Sequence, residues 1–313
     1  MYWPGKRNLV PILFVILFSC STSQQQNLSS VLASNARVVR LSEGADFQFT
    51  EGPVWSNAGY LLFSDIPNNH IIKYSPDGTF SIFRENTNGA NGLMFDKSGQ
   101  LVACEGETGR VTAMDSSGEI HVLASEYKGK RFNSPNDLVI DSTGGIYFTD
   151  PVFGRGRKLS QDKEAVYYLH PDGRVRRVID NLTKPNGVIL APDGKKLFIV
   201  DTYNKFVWAY LIDRVGFPTD PYIFAELKLP KDAQNNRSGA DGITIDAAGN
   251  LYVTSSLGVQ VFNPKGDLLG IIDVPEKPSN CTIGGADNKT LYITARKNLY
   301  AIQLKVKGVM FPL

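Results

Sequence analysis

The feature that most constrains the fold of this chain is a motif that occurs six times. Each copy opens with an acidic or amide residue, continues as a short and largely apolar strand, turns, and enters a second apolar strand. A glycine stands eight residues after the start of the first five copies, and Asn288 stands there in the sixth; both residue types tolerate the left-handed backbone of tight turns. The opening residues are Glu51, Asn91, Asn136, Asn186, Asp241 and Asn280.

The spacing of the copies predicts the architecture. Successive starts are 40, 45, 50, 55 and 39 residues apart, which is the length of one four-stranded blade. A β-sandwich is the competing all-β fold, but six matched copies favour radial closure. We therefore predict an all-β, six-bladed β-propeller with four-stranded antiparallel blades, formed by residues 37–313 as a single domain. We expect residues 37–41 (RVVRL) to complete the last blade and so cover its exposed edge.

The N-terminus carries an export signal. Lys6 and Arg7 precede an apolar run over residues 9–18, which ends in Ser19-Cys20 and is too short to span a bilayer. The sequence before Cys20 resembles a bacterial lipobox, so we predict a lipoprotein signal peptide over residues 1–19 and lipidation of Cys20. Residues 20–36 are polar and predict a flexible tether. The expected location is a membrane, reached only through this anchor, with the protein facing the periplasm; an ordinary signal peptide is the alternative.

Composition excludes one class of partner. The chain has 33 Lys and Arg against 31 Asp and Glu, and without Lys6 and Arg7 the two sets balance. A nucleic-acid-binding protein would show a basic excess or a basic run, and neither is present. We expect a monomer that binds no nucleic acid. Cys104 and Cys281 are interpreted as small buried apolar residues rather than as a disulfide.

The six opening residues predict a cation site. In a propeller the innermost strands begin around one end of the central channel, so these oxygen-bearing side chains should converge on the axis. Two of them, Glu51 and Asp241, are carboxylates, and burying both is costly unless a cation lies between them. Carboxylate and amide oxygens suit hard divalent cations. The alternative is that Asn-Gly and Asp-Gly serve only as turn residues.

Four short motifs add a family resemblance. EGPVW from Glu51, SPND at 134–137, KPNG at 184–187 and ADG at 240–242 resemble the regucalcin/gluconolactonase family. NSPNDLVIDSTGGIYFTDPVFG is similar to its bacterial gluconolactonase-like branch, and the likeness extends over about residues 45–305. The resemblance implies a six-bladed propeller with one divalent cation on the axis, usually Ca²⁺, with Mg²⁺, Mn²⁺ or Zn²⁺ as alternatives.

The resemblance also implies roles for particular residues. Glu51, Asn186 and Asp241 match the metal ligands, and Asn136 matches a residue that binds the metal or the substrate. Asn91 and Asn280 match no usual ligand, and we expect them to line the channel. We predict substrate contacts at Asn136, Ser134 and Asp150. Animal-type members carry an arginine at the position of Ser134, a departure that bears on the choice of lactone.

The predicted activity is metal-dependent hydrolysis of a small sugar lactone, with Asp241 as general base or, alternatively, as nucleophile. A metal-dependent esterase or phosphotriesterase of the diisopropylfluorophosphatase type and a non-catalytic propeller that binds carbohydrate or protein are the alternatives. All three histidines lie outside the six opening positions, so a Ser-His-Asp triad has no support. The polar insertion at residues 154–164 is predicted to overhang the pocket and to contribute to specificity.

Overall fold

A computed structural model describes residues 28–154 and 156–313. The predicted signal peptide, Cys20 and the first part of the predicted tether lie outside the described residues. Within the described ranges the regular secondary structure consists of β-strands. No helix in these ranges is long and apolar enough to cross a membrane.

The strands form six four-stranded antiparallel sheets, which confirms the predicted six-bladed β-propeller. Blade one comprises β2 (Thr50–Ser56), β3 (Tyr60–Asp65), β4 (His70–Tyr74) and β5 (Phe80–Glu85). Blade two comprises β6 (Ala90–Phe95), β7 (Leu101–Glu105), β8 (Arg110–Met114) and β9 (Ile120–Ala124). Blade three comprises β12 (Leu138–Ile140), β13 (Ile146–Asp150), β14 (Ala165–Leu169) and β15 (Val175–Ile179). A separate two-stranded hairpin, β10 (Glu126–Tyr127) and β11 (Lys130–Arg131), lies between blades two and three in the chain.

The remaining blades follow the same order, from the innermost strand outwards. Blade four comprises β16 (Pro185–Leu190), β17 (Lys196–Asp201), β18 (Phe206–Arg214) and β19 (Phe217–Glu226). Blade five comprises β20 (Ile243–Ile245), β21 (Leu251–Ser255), β22 (Gly258–Phe262) and β23 (Leu268–Ile272). Blade six comprises β24 (Pro278–Gly284), β25 (Thr290–Ala295) and β26 (Asn298–Gln303), and β1 (Val39–Arg40) completes it.

The two ends of the chain close the ring within the sixth blade. Strand β1 pairs antiparallel with β26, with Val39 opposite Ala301 and Arg40 opposite Tyr300. This confirms that residues from the RVVRL segment complete the last blade. The pairing covers an edge of β26 that would otherwise present unpaired backbone groups to solvent.

The segment before β1 is also packed onto the sixth blade. Leu28 and Val31 are buried in a cluster that includes Ile302, and the Lys305 amide donates a hydrogen bond to Val31 O at 2.7 Å. The flexible tether predicted for residues 20–36 therefore does not extend over residues 28–36. Two apolar side chains within a polar stretch are enough to fix this segment, because their burial offsets the entropy lost on ordering it.

The turns between the first two strands of a blade follow from their sequence. Asp96, Asp141 and Asp246 each accept two backbone N–H bonds from their own turn; at Asp141 the donors are Thr143 at 2.8 Å and Gly145 at 3.0 Å. This Asx geometry, followed by a glycine at positive φ, closes a tight hairpin. The conserved spacing of the repeat thus reflects local turn chemistry.

The apolar core lies between neighbouring blades. One cluster joins blades three, four and five through residues such as Tyr147, Ile199 and Val253, and another joins blades two and three through Cys104 and Phe148. Cys104 and Cys281 are both free thiols in buried positions, as the composition predicted. Because the sheets pack face to face around the ring, the inner strand of each blade is held at a fixed distance from the axis.

Glycines set how closely the inner strands approach one another. A Cβ added to Gly52 would lie 1.9 Å from Asn91 O, one on Gly92 would lie 2.7 Å from Asn136 O, and one on Gly187 would lie 2.5 Å from Asp241 O. Among these three, only Gly52 has a positive φ. The glycine after the opening residue therefore serves mainly for close backbone contact between blades, not for a turn.

Candidate functional site

The structure places all six opening residues at or just before the innermost strands. Glu51 and Asn91 are the second residues of β2 and β6, Asn186 is the second of β16, and Asp241 precedes β20 by two residues. Backbone hydrogen bonds run from blade to blade at this level: Gly92 N donates to Asn136 O at 2.7 Å, and Gly187 N donates to Asp241 O at 2.9 Å. The opening residues are thereby fixed around one end of the channel.

Asn186 and Asp241 are joined directly. Asn186 Nδ2 donates to Asp241 Oδ1 at 2.7 Å and to Thr202 Oγ1 at 3.0 Å. The Thr202 hydroxyl in turn donates to Ala240 O at 2.7 Å. Both amide hydrogens of Asn186 are therefore committed, and no donor among residues 28–154 and 156–313 bonds its Oδ1. That oxygen is available to a ligand.

Glu51 is an acid of the ring with a buried side chain. Its Oε2 accepts the backbone N–H of Gly52 at 2.9 Å. Burial raises the pKa of Glu51 well above its ordinary value, the negative charge of Asp241 raises it further, and the hydrogen bonds from Gly52 and Asn280 offset only part of this rise. Asn280 thus contacts an acid of the ring, in agreement with the channel-lining role expected for it.

The pKa of Asp241 is also raised by its surroundings. Burial is the main cause that raises the pKa of Asp241 to about 6, while Lys277, the Asn186 hydrogen bond and Arg296 act in the opposite direction. Neither Lys277 nor Arg296 comes within salt-bridge distance of a carboxylate among the described residues. Two neighbouring carboxylates with raised pKa values form a site in which a divalent cation would remove the repulsion and the desolvation cost together.

Asn136 is available for binding. It is buried to within 8% of its surface, and its side-chain amide forms no hydrogen bond with any other residue that the structure describes. Its backbone is held on both sides, by the Asn136 N–H bond to Thr149 O at 2.9 Å and by the bond from Gly92. A fixed backbone with a free amide suits either a metal ligand or a substrate contact.

Asp150 holds the chain that leads into Asn136. It has no exposed surface, its Oδ2 accepts Asn133 N at 2.8 Å, and its Oδ1 accepts Ser134 N at 2.7 Å. We therefore revise its predicted substrate contact to a positioning role. Asp65 and Asp201 do the same in blades one and four, where each accepts two consecutive backbone N–H groups from the segment entering the inner strand. Ser134 itself lines a surface cavity.

Asp137 is a further acid near the axis, which the six opening residues do not include. This residue lines the narrow axial cavity beneath the ring, and its Oδ1 and Oδ2 accept the N–H groups of Leu138 at 2.9 Å and Val188 at 3.3 Å. Burial, with a smaller contribution from the charge of Asp241, raises the pKa of Asp137 to about 7. A signal was present in the sequence: four blades have glycine after the opening residue, and blade three has an aspartate there.

Other polar clusters lie away from the axis. Asp115, Glu119 and His121 bring three ligand atoms together, but they lie at the outer β8–β9 hairpin of blade two and are half-buried or exposed. His170 pairs with Asp172 at another exposed turn. These residues lie at outer turns of their blades, away from the innermost strands.

The fold and the ring define a class, that of six-bladed propellers with an axial set of carboxylate and amide oxygens. The SMP-30/Gluconolactonase/LRE-like region family matches residues 49–297, and the chain belongs to this family. Gluconolactonase from Zymomonas mobilis is 35% identical over 288 residues, which cover 84% of this chain and 81% of that protein. Regucalcin from Oryctolagus cuniculus is 26% identical over 256 residues, covering 79% and 83%.

A solved structure of a gluconolactonase from Xanthomonas campestris is similar throughout. It is 32% identical, aligns with a TM-score of 0.79, and covers 88% of this chain and 92% of that one. The similarity thus extends over most of both chains.

Proposed function

We propose that this protein hydrolyses a small lactone at the axial ring with the help of one divalent cation. The single observation that carries the proposal is the Glu51–Asn186–Asp241 group, in which two acids have raised pKa values and an amide oxygen accepts no hydrogen bond from a described residue. The similarity to gluconolactonases supports lactones as the substrate class.

The donor set fits a hard cation. Glu51, Asn186 and Asp241 would hold it through oxygen atoms, with Asn136 as a further ligand or as a substrate contact, and Ca²⁺ is the ion that this set favours. The chemistry that the cation supplies when bound is polarisation of the ester carbonyl. Lys277 and Arg296 add positive charge near Asp241 and limit the rise in its pKa that burial causes.

Asp241 is the base that the geometry supports. Its Oδ1 is engaged by Asn186, whereas no described donor bonds Oδ2, so Oδ2 can accept a proton from an attacking water. A bound cation would keep this carboxylate ionised, so Asp241 would be a weak but correctly placed base. Asn186 orients this carboxylate, and Thr202 orients Asn186.

The experiment follows proton release from a panel of aldonolactones by metal-stripped protein lacking residues 1–20. Ca²⁺, Mg²⁺, Mn²⁺ and Zn²⁺ are then added back separately. The proposal predicts turnover that depends on the added ion. If no lactone is opened and a phosphotriester is hydrolysed instead, the ring serves the alternative esterase chemistry; if neither reacts, the protein is a binding propeller.

We also propose export and lipidation, on the strength of Lys6, Arg7, the apolar run and Cys20. Expression of the full chain in a Gram-negative host should place it in the membrane fraction, and Cys20→Ala should release it from that fraction. A wild-type protein found in the soluble fraction would refute the anchor. Gel filtration of the protein lacking residues 1–20 tests the expected monomer.

A further inference from the structure

A cavity of about 360 Å³ opens beside the ring, between blades two and three. Its volume is that of a small-molecule site. Ser134 forms part of its wall, and because Ser134 is only two residues from Asn136, the cavity lies within about 7 Å of the ring along the chain. A substrate whose ester group lies at the ring would extend a substituent into this space.

The charged residues of the cavity are mostly basic. Arg131, Arg157 and Lys158 line it, against a single acid, Glu107. The chain as a whole carries a net charge of only +2, so this concentration of positive charge is a local feature and does not reflect a basic protein.

The hydrogen bonds of Arg131 go to uncharged groups, and the acid whose charge interacts with it is the buried Asp150. Its guanidinium donates to the backbone carbonyl oxygens of Thr108 at 3.0 Å, Asn133 and Gly106 at 3.4 Å, and Glu107, and to the Ser160 hydroxyl at 3.5 Å. These bonds fix the orientation of the side chain without supplying a counter-charge. Arg157 and Lys158 are exposed, and neither forms an ion pair with a residue in the described ranges.

A neighbouring cavity provides an internal comparison. It has a volume of about 440 Å³ and shares Arg157, but its buried lysine, Lys184, is bonded to Glu164 Oε1 at 2.5 Å and to Val152 O at 2.6 Å. The charge of Lys184 is therefore balanced within the protein. Arg157 lines both cavities, whereas Arg131 and Lys158 line only the one that contains Ser134, so positive charge is more concentrated there.

We propose that this cavity binds an anionic group of the substrate, so that the preferred lactone carries a carboxylate or a phosphate. The inference rests on the proposed lactonase function and specifies its substrate class. The guanidinium of Arg157 presents a planar set of donors that matches the oxygens of either anion, and Arg131, held in place by its own bonds, adds positive charge to the wall. Arg157 and Lys158 on the insertion complete the anion site.

The test compares matched lactones that differ in charge. Glucono-δ-lactone is the neutral substrate, its phosphate monoester is one anionic substrate, and the lactone of glucaric acid is the other. We expect kcat/KM to be at least about tenfold higher for one anionic lactone than for the neutral one, mainly through KM, because hydrogen bonds to charged groups are the stronger ones. The anionic lactone with the higher kcat/KM shows whether the substituent that the cavity binds is a phosphate or a carboxylate.

Variants locate the effect. Arg157→Gln with Lys158→Gln should remove most of the preference, so that kcat/KM for the anionic lactone falls about tenfold towards that for the neutral one. Lys265→Gln with Lys307→Gln removes the same charge from two exposed positions, one in the β22–β23 turn of blade five and one in the segment after β26, and should leave the preference intact. A wild-type enzyme that treats charged and neutral lactones alike, or a preference that survives in the Arg157/Lys158 variant, would overturn the proposal.

A binding measurement separates this inference from the proposed activity. Calorimetric titrations with the neutral polyol glucitol, its phosphate monoester and gluconate require no turnover. If no lactone is hydrolysed but one of the two anions binds more tightly than glucitol, and binding weakens in the Arg157/Lys158 variant, the cavity assignment holds and the lactonase function fails. Equal binding of the neutral polyol and the two anions refutes the anion site whatever the activity.

Discussion

Asn186 donates a hydrogen bond from Nδ2 to Asp241 Oδ1 at 2.7 Å, across the boundary between blades four and five. The bond fixes the amide so that its oxygen is free, and it leaves the second carboxylate oxygen of Asp241 without a donor in the described structure. A ligand atom and a proton acceptor are thereby presented side by side. This relationship connects the closure of the propeller to the proposed chemistry, because each residue belongs to a different blade.

Replacing Asp241 should separate stability from activity. Asp241→Asn retains an oxygen that can accept the Asn186 bond but removes a charge whose pKa is raised from 3.8 to about 6. At neutral pH the metal-free variant should be more stable by up to about 3 kcal/mol, while lactone hydrolysis is lost. Thermal unfolding and proton release measure the two effects. Asp273→Asn, at an exposed position, is the control and should change neither.

Metal affinity should fall as the pH is lowered. The raised pKa values of Glu51 and Asp241 mean that an entering cation must displace protons from the ring below about pH 6. We expect the apparent Kd for Ca²⁺ to increase about tenfold between pH 7 and pH 5, measured by calorimetry. An affinity that is constant over this range would show that the ring carboxylates are not the ligands.

The stability of the metal-free protein should have the opposite pH dependence. A carboxyl whose pKa is higher in the folded than in the unfolded state favours folding at low pH, and this contribution is lost as the pH rises through about 6. The difference in Tm between wild type and Asp241→Asn should therefore widen from pH 4 to pH 7. A constant difference would assign the effect of the substitution to packing.

A methyl group at Gly187 should disturb the ring. The added Cβ would lie 2.5 Å from Asp241 O, which belongs to the neighbouring inner strand. We expect Gly187→Ala to cost about 3 kcal/mol and to lower kcat by displacing Asp241. Gly78→Ala is the control, since nothing lies within 4 Å of the added Cβ and only the strain at φ 87° remains, about 1 kcal/mol. Equal Tm losses in the two variants would argue against close packing at the axis.

The segment before β1 should contribute to stability. Leu28 and Val31 are 7% and 1% exposed, and both pack on the sixth blade. A protein starting at residue 37 should be less stable than one starting at residue 28, by on the order of 3 kcal/mol in chemical unfolding. If the two proteins unfold at the same denaturant concentration, the packed segment adds nothing to the stability of the ring.

The repeat made the architecture predictable from sequence. The eight-residue offset between opening residue and turn glycine recurs because Asx turns such as that at Asp141 are local structures with fixed requirements. Local chemistry of this kind can be recognised without knowing the tertiary contacts. The closure by residues 37–41 was equally accessible, because a propeller with an unpaired edge in its last blade needs one more strand.

Features that depend on distant contacts were not predictable in the same way. From the sequence, Asp150 could be a carboxylate at the edge of the pocket. Only its hydrogen bonds from the backbone N–H groups of Asn133 and Ser134 show that it is buried and holds the segment before Asn136 in place. Asp137 reaches the axial cavity because Gly92 of the preceding blade leaves room for it. The packing of Leu28 and Val31 likewise requires the surface of a blade formed more than two hundred residues later in the chain.

The most direct test of the central claim measures cation binding and lactone hydrolysis on the same metal-stripped samples. Ca²⁺ is titrated by calorimetry into wild type, Glu51→Gln and Asp241→Asn, and proton release is then recorded at each level of occupancy. We predict one high-affinity site in the wild type, turnover in proportion to its occupancy, and loss of both in the two variants. Full turnover by metal-stripped wild type, or by Glu51→Gln without bound Ca²⁺, would contradict the proposed role of the axial ring.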